Sequence, residues 1–228
     1  MSMLQGAKTM ERDVFDEQIA YYRARAPEYD EAIADAAVLQ GAFAQARDLL
    51  WQLGPYRQVV ELACGTGIWT QILLQMSEQI TALDAAPEML AIARQKTGEA
   101  RVSYRQTDLF QWEPEQTYDL AFFANWLSHV PPGKLEAFLS RVAGAVRQNG
   151  HLVMIDQFAP MPEDLAIMKK GEDATMYAQR SLKNGDLFTI IKVFYEPAPL
   201  QEMLTALHFE VTLSRLSDIF FFLSAQRR

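Results

Sequence analysis

Glu61, Gly65, Gly67 and Asp84 are the residues of this chain whose types and spacing can do chemistry together. Val59-Val60-Glu61-Leu62-Ala63-Cys64-Gly65-Thr66-Gly67 reads as a buried strand that ends in an acidic residue and enters a glycine turn. A helical pattern, Ile68 to Met76, follows at once. Strand, turn and helix in this order bring backbone N–H groups close to a ligand, and the small side chains of Ala63, Gly65 and Gly67 let it approach the main chain. Ala63 is expected at negative φ, because its Cβ disfavours the left-handed region. Glu61 sets the charge of the ligand: a carboxylate at the strand end suits an ammonium or sulfonium and repels a pyrophosphate. Asp84 ends the next strand pattern, where a carboxylate can accept hydrogen bonds from both hydroxyls of a ribose. The same position also suits a helix cap ahead of Pro87.

Those residues need a frame. Strand patterns at Gln58–Ala63, Gln79–Asp84, Val102–Gln106, Leu120–Ala124 and Leu152–Gln157 alternate with helical patterns at Ile68–Met76, Pro87–Gln95 and Pro132–Arg147. The last helix is expected to close before Asn149-Gly150, read as a turn. Such alternation implies an α/β fold, a doubly wound and mostly parallel sheet with helices on both faces. Upstream, helices are expected over Arg12–Arg25 and Tyr29–Leu53. Downstream, Leu187–Phe194 reads as an extra strand, Pro199–Leu207 as a helix, and Phe209–Leu213 with Ile219–Ser224 as two closing strands. With 228 residues, half of them hydrophobic, the chain is expected to form one domain, with residues 1–54 as a helical lid and 158–195 as a cap within it. The net charge of −8 and pI near 5.0 argue against a nucleic-acid footprint. A single cysteine, no apolar leader run and no membrane-length segment point to a cytoplasmic protein.

The Glu61–Gly67 stretch resembles the first motif of class I S-adenosylmethionine-dependent methyltransferases, in the small-molecule and ubiquinone-type branch, with Ala63 where that family usually has its first glycine. The resemblance covers roughly Tyr22 to the C-terminus and implies a Rossmann-like seven-stranded sheet of order 3-2-1-4-5-7-6, its last strand antiparallel. It also implies S-adenosyl-L-methionine as cofactor and S-adenosyl-L-homocysteine as product. The cofactor-binding residues expected on this basis are Tyr22, Tyr29, Glu61, Ala63, Cys64, Gly65, Gly67, Asp84, Ala85, Met89, Asp108, Leu109, Asn125 and Trp126. Asp108 and Leu109 would meet the adenine edge, Met89 would pack on its face, and the Tyr22 and Tyr29 rings would fold over the sulfonium.

A methyltransferase works largely by aligning an in-line displacement, so a distinctive catalytic motif is not required. An acceptor that must lose a proton needs a base, and His129 or Asp156 are the candidates. The acceptor expected is a small aromatic or heteroaromatic metabolite methylated on O or N, with carbon methylation of a quinone precursor as the alternative. Phe158, Met161, Met168, Met176, Tyr177 and Phe188 could line an apolar pocket for it or simply pack the insertion onto the sheet. A nicotinamide-dependent oxidoreductase fits worse, since Thr70 stands where its fingerprint wants a third glycine. A domain that binds the cofactor without turnover stays open. No metal-ligand spacing is seen, and these residues say nothing of oligomeric state.

Overall fold

A computed structural model describes residues 2–34, 37–171 and 175–228, with side chains from residue 14 onward outside 34–39 and 162–163. Helices α1 (Ser2–Arg25), α2 (Tyr29–Ala34) and α3 (Ala37–Trp51) lead into the alternating part of the chain. There β1 (Tyr56–Leu62), α4 (Ile68–Leu73), β2 (Ser77–Asp84), α5 (Pro87–Thr97), β3 (Val102–Gln106), β4 (Tyr118–Ala124), α6 (Pro132–Ala145) and β5 (Val146–Gln157) follow one another. An insertion carries α7 (Pro162–Leu165), β6 (Met168–Lys170), β7 (Met176–Ser181) and β8 (Leu187–Ile191). The chain closes with α8 (Pro197–Ala206), β9 (Phe209–Arg215) and β10 (Phe220–Arg227).

The near-continuous apolar runs of β1, β2 and β4 form parallel strands because helices cover both faces of their sheet. Successive side chains point to opposite faces, so Phe123 joins Val60, Leu62, Phe138 and Leu200 in the core under α6 and α8. Phe122 joins Val59, Leu50, Leu73 and Leu90 under α3, α4 and α5. Each such side chain, fully buried, contributes about 1.5–3 kcal/mol. The sheet order is β3-β2-β1-β4-β5-β10-β9. That is the 3-2-1-4-5-7-6 arrangement, with β10 antiparallel to both β5 and β9. The strand order reverses at β1, which pairs with β2 on one side and β4 on the other. A crevice therefore opens beyond the carboxyl ends of those strands.

Several boundaries differ from the sequence reading. Asn149-Gly150 makes no turn after α6; it lies inside β5, with Asn149 at φ 60° and a register shift against β4 between Tyr118 and Leu120. A Cβ on Gly150 would sit 2.9 Å from the carbonyl oxygens of Arg147 and Asp119, so the dipeptide serves a bulge that presses against β4. Helix α4 stops at Leu73, three residues before the expected end, and a turn brings Met76 O to the N–H of Tyr56. The helix expected over Tyr29–Leu53 is described in two pieces, with residues 35 and 36 outside the described ones. The insertion forms a three-stranded antiparallel sheet, β6-β7-β8, with residues 172–174 outside the described ones. It packs on α1 through Tyr21, Ala178, Leu182 and Ile190. Gln18 and Glu17 accept the N–H groups of Ile191 and Thr189 at 3.0 and 2.5 Å, which fixes α1 along β8. Among the described residues no helix is long and apolar enough to cross a membrane.

Candidate active site

A cavity of about 670 Å³ lies at the carboxyl ends of β1, β2 and β4, under α1. Its wall includes Tyr22, Tyr29, Ala63, Gly65, Asp84, Ala85, Met89, Asp108, Leu109, Asn125, Trp126 and His129. A smaller chamber of about 190 Å³ shares Tyr22, Tyr29, Ala63, Gly65, Asn125 and His129 with it and adds Glu61, Cys64, Arg25, Arg180 and Lys192. Of the residues expected at the site, all but Gly67 line one chamber or both. Gly67 works one step back: at φ +81° a Cβ there would meet Ala93 Cα at 3.1 Å, so glycine lets the turn pack on α5.

Two residues at adjacent strand ends hold the left-handed conformation, Ala63 at φ 53° and Asn125 at φ 54°. The negative φ expected for Ala63 is therefore corrected. The chain must turn sharply out of β1 into the loop, and the position takes a strain of about 1–3 kcal/mol that the buried strands on either side impose. Asn125 carries the same conformation more easily, through its short polar side chain.

The carboxylates of the larger chamber are held by backbone. Asp84 accepts the N–H groups of Gly65 and Ala86, both at 2.8 Å. Burial raises its pKa, and those backbone bonds work against the rise. The Ala85 N–H acts on this carboxylate as well; a carboxylate offers about four lone-pair sites, so acceptor capacity remains for donors in the cavity. Asp108 accepts the N–H of Phe110 at 2.9 Å and the Gln111 amide at 2.8 Å. The Trp126 indole N–H is buried with no partner. Glu61 is 2% exposed and accepts the Thr70 hydroxyl at 2.6 Å. Burial drives its pKa up to about 8 against the pull of that hydrogen bond, with the Asp84 charge adding to the rise. Burial likewise pushes the Cys64 thiol up, away from nucleophile behaviour.

His129 closes the 3₁₀ turn Leu127–His129 and is 4% exposed. Its Nδ1 donates to Ile191 O at 2.7 Å, which fixes Nε2 as an acceptor, and Tyr22 donates its hydroxyl to Nε2 at 2.7 Å. Burial first, then the charge of Lys192, lowers its pKa to about 3. Asp156 lies behind this turn, 1% exposed, accepting the N–H groups of Ser128 and Gln157. Among the described residues no group of three or more His, Cys, Asp or Glu is placed to hold a metal ion.

Residues 59–150 match the family model of a methyltransferase domain. The malonyl-[acyl-carrier protein] O-methyltransferase of Serratia marcescens is 30% identical over 111 residues, 42% of this chain and 43% of that protein. The ubiquinone biosynthesis O-methyltransferase of Xanthomonas campestris pv. campestris is 25% identical over 135 residues, 58% of this chain and 54% of that one. The chain thus spans about half the length of these curated relatives. The solved DhpI-SAM-HEP complex is similar over nearly everything: 36% identity, TM-score 0.78, 93% of this chain and 97% of that one. The chain belongs to the class I S-adenosylmethionine-dependent methyltransferases.

For this methyltransferase the donor set fits a nucleoside with a charged amino-acid tail. The remaining acceptor capacity of Asp84 suits ribose hydroxyls and the cavity of about 670 Å³ suits a nucleoside, while buried Glu61, in the wall of the smaller chamber, suits the ammonium of the tail. Sequence reasoning missed the cations Arg25, Arg180 and Lys192. Only Lys192 left a readable sign, a lone charge in the apolar run Ile190-Ile191-Lys192-Val193. Of the six apolar residues expected either to line an acceptor pocket or to pack the insertion onto the sheet, Met161 alone lines one of these chambers. Phe158 instead lies under the Arg215 guanidinium at 4.6 Å, while Met168 and Phe188 pack with Tyr21 and Tyr22 between the insertion and α1.

Proposed function

We propose that this chain transfers a methyl group from S-adenosylmethionine to an oxygen or nitrogen of a small metabolite held beside the cofactor tail, on the side of the smaller chamber lined by Arg180 and Lys192. The observation that carries this reading is that the two chambers share Ala63, Asn125, Tyr22 and His129 in their walls. When bound, the cofactor supplies a methyl carbon already activated for in-line displacement. Asp84 would hold the ribose, Asp108 and Leu109 the adenine edge, Met89 its face, and Glu61 the ammonium of the tail. Tyr22 and Tyr29, carried by α1 and α2, would roof the sulfonium with their rings. Asp30 supports that lid, accepting the Thr66 hydroxyl of the glycine turn at 2.5 Å and pairing with Lys96 of α5.

At the acceptor end, His129 holds the Tyr22 hydroxyl in one orientation, so the pair presents a fixed polar edge beside Asn125. The rings of Tyr22, Tyr29 and Phe220 line that chamber, which supports an aromatic or heteroaromatic metabolite. Transfer is tested by incubating the protein with methyl-labelled S-adenosylmethionine and a set of small hydroxy and amino compounds. Label in an acceptor, with equal formation of S-adenosylhomocysteine, is the expected result. Cofactor binding without consumption across the set would replace this reading by that of a non-catalytic binding domain.

A further inference from the structure

The acceptor chamber holds more positive charge than the cofactor accounts for. In a chain of net charge −8, Arg25, Arg180 and Lys192 line one small space. Lys192 is 7% exposed and the Arg180 side chain 24%. Arg25 lies 5.5 and 5.2 Å from the ring centres of Tyr21 and Tyr29. Taking a cation out of water costs several kcal/mol, of the order of what a good partner returns, and of these three only Arg180 has a carboxylate in reach. Arg180 pairs with Asp164 at 2.6 Å. Arg25 donates to the Tyr21 hydroxyl at 2.7 Å. Lys192 donates to Ser128 Oγ at 3.1 Å and lies over the Phe194 ring. Asp156 and Asp164 act on Lys192 through space, yet among the described residues no carboxylate comes within 4.0 Å of Lys192 Nζ or of the Arg25 guanidinium.

A methionine carboxylate would occupy one of these cations. Arg25 is placed for it, because it packs on Tyr29, which in turn feels the Asp84 carboxylate on the ribose side. Lys192 remains without a carboxylate in reach, and Arg180, held by Asp164, keeps further guanidinium donors. Lys192 reaches Ser128, the residue beside His129 in the same 3₁₀ turn.

We propose that the methyl acceptor is an anion, its carboxylate or phosphate-type head group held by Arg180 and Lys192 next to the His129–Tyr22 pair. This rests on the methyltransferase reading above and narrows its substrate. The guanidinium offers a planar fork of donors and the ammonium a point charge, a combination suited to an oxyanion. A seated anion also offsets the Lys192 and Arg180 charges that, after burial, disfavour a charged imidazole at His129.

The test is calorimetric titration of inorganic phosphate, and separately of acetate, into the full chain saturated with S-adenosylhomocysteine. At least one is expected to fill a single site with a Kd of about 1 mM, and which one does so separates a phosphate-type head from a carboxylate. Lys192→Gln should weaken that binding about tenfold or more, Lys192→Arg should restore much of it, and both should leave S-adenosylhomocysteine affinity unchanged. Should Lys192→Gln fail to fold, Arg180→Gln carries the same test. Saturable cofactor binding with no anion binding, or anion binding indifferent to these substitutions, overturns the proposal. Failure of S-adenosylhomocysteine itself to bind overturns the reading beneath it instead.

Discussion

Asp84→Ala probes the cofactor half of the site. The carboxylate accepts the N–H groups of Gly65 and Ala86, feels that of Ala85, and has acceptor capacity left for ribose hydroxyls. Hydrogen bonds to a charged group contribute about 1.5–3 kcal/mol each. Because both ribose bonds share one carboxylate, a combined loss of about 3 kcal/mol is expected, roughly a hundredfold in affinity. Asp84→Asn retains a single carbonyl acceptor and should fall between, near tenfold. The Ala variant also strands two backbone N–H groups, so the ligand-free protein should melt lower by a few degrees, about 2–4 °C per kcal/mol at this length. Calorimetry with S-adenosylhomocysteine reads the first effect and a thermal scan the second. An Asp84→Ala protein that melts like the parent and binds S-adenosylhomocysteine within about threefold of it would refute the ribose assignment.

Glu61, with its pKa raised to about 8, should be mostly protonated at pH 7. An ammonium placed against it favours the carboxylate, so S-adenosylhomocysteine binding at pH 7 should release up to about one proton; calorimetry in buffers of different ionisation enthalpy measures this, and Glu61→Gln should abolish it. Because the folded pKa of Glu61 lies above its unfolded one, the ligand-free protein should lose stability as the pH rises from about 4.5 to 8. Denaturant titrations comparing Glu61→Gln with the parent across that window should show the loss removed. Tyr22→Phe takes the donor from His129 Nε2 and leaves a buried acceptor unpaired, a cost of about 1–3 kcal/mol readable by denaturant unfolding. Ala63, held at φ 53°, should accept glycine with no loss of melting temperature, while Ala63→Val should lower it by several degrees. The opposite order would show that the position is unstrained.

That most of the residues proposed to hold the cofactor line one cavity was legible because they are local. Glu61, the glycine turn, Asp84 and Asp108 each sit at or just beyond a strand end in one unit of chain, and strand periodicity with breaker residues places such ends. The residues proposed for the acceptor side come from segments far apart: α1 brings Tyr22 and Arg25, the turn after β4 brings His129, β7 brings Arg180, and Lys192 follows β8. No spacing rule joins residues that distant. His129 illustrates the difficulty. A histidine ahead of two prolines looks like a surface residue, and only the packing of β8 and α1 buries it. Asn149-Gly150 misled for another reason: the same dipeptide serves a hairpin turn and a bulge, and β4 beside it decides which. For the apolar residues of the insertion the sequence left pocket lining and packing open; Met168 and Phe188 pack, and their partner is α1.

Calorimetric titration of the parent protein with S-adenosylhomocysteine, set against NADH, tests the central claim most directly. One S-adenosylhomocysteine per chain, bound in the micromolar range or tighter, with no heat from NADH, is the expected result. NADH filling the site while S-adenosylhomocysteine leaves no signal would contradict it.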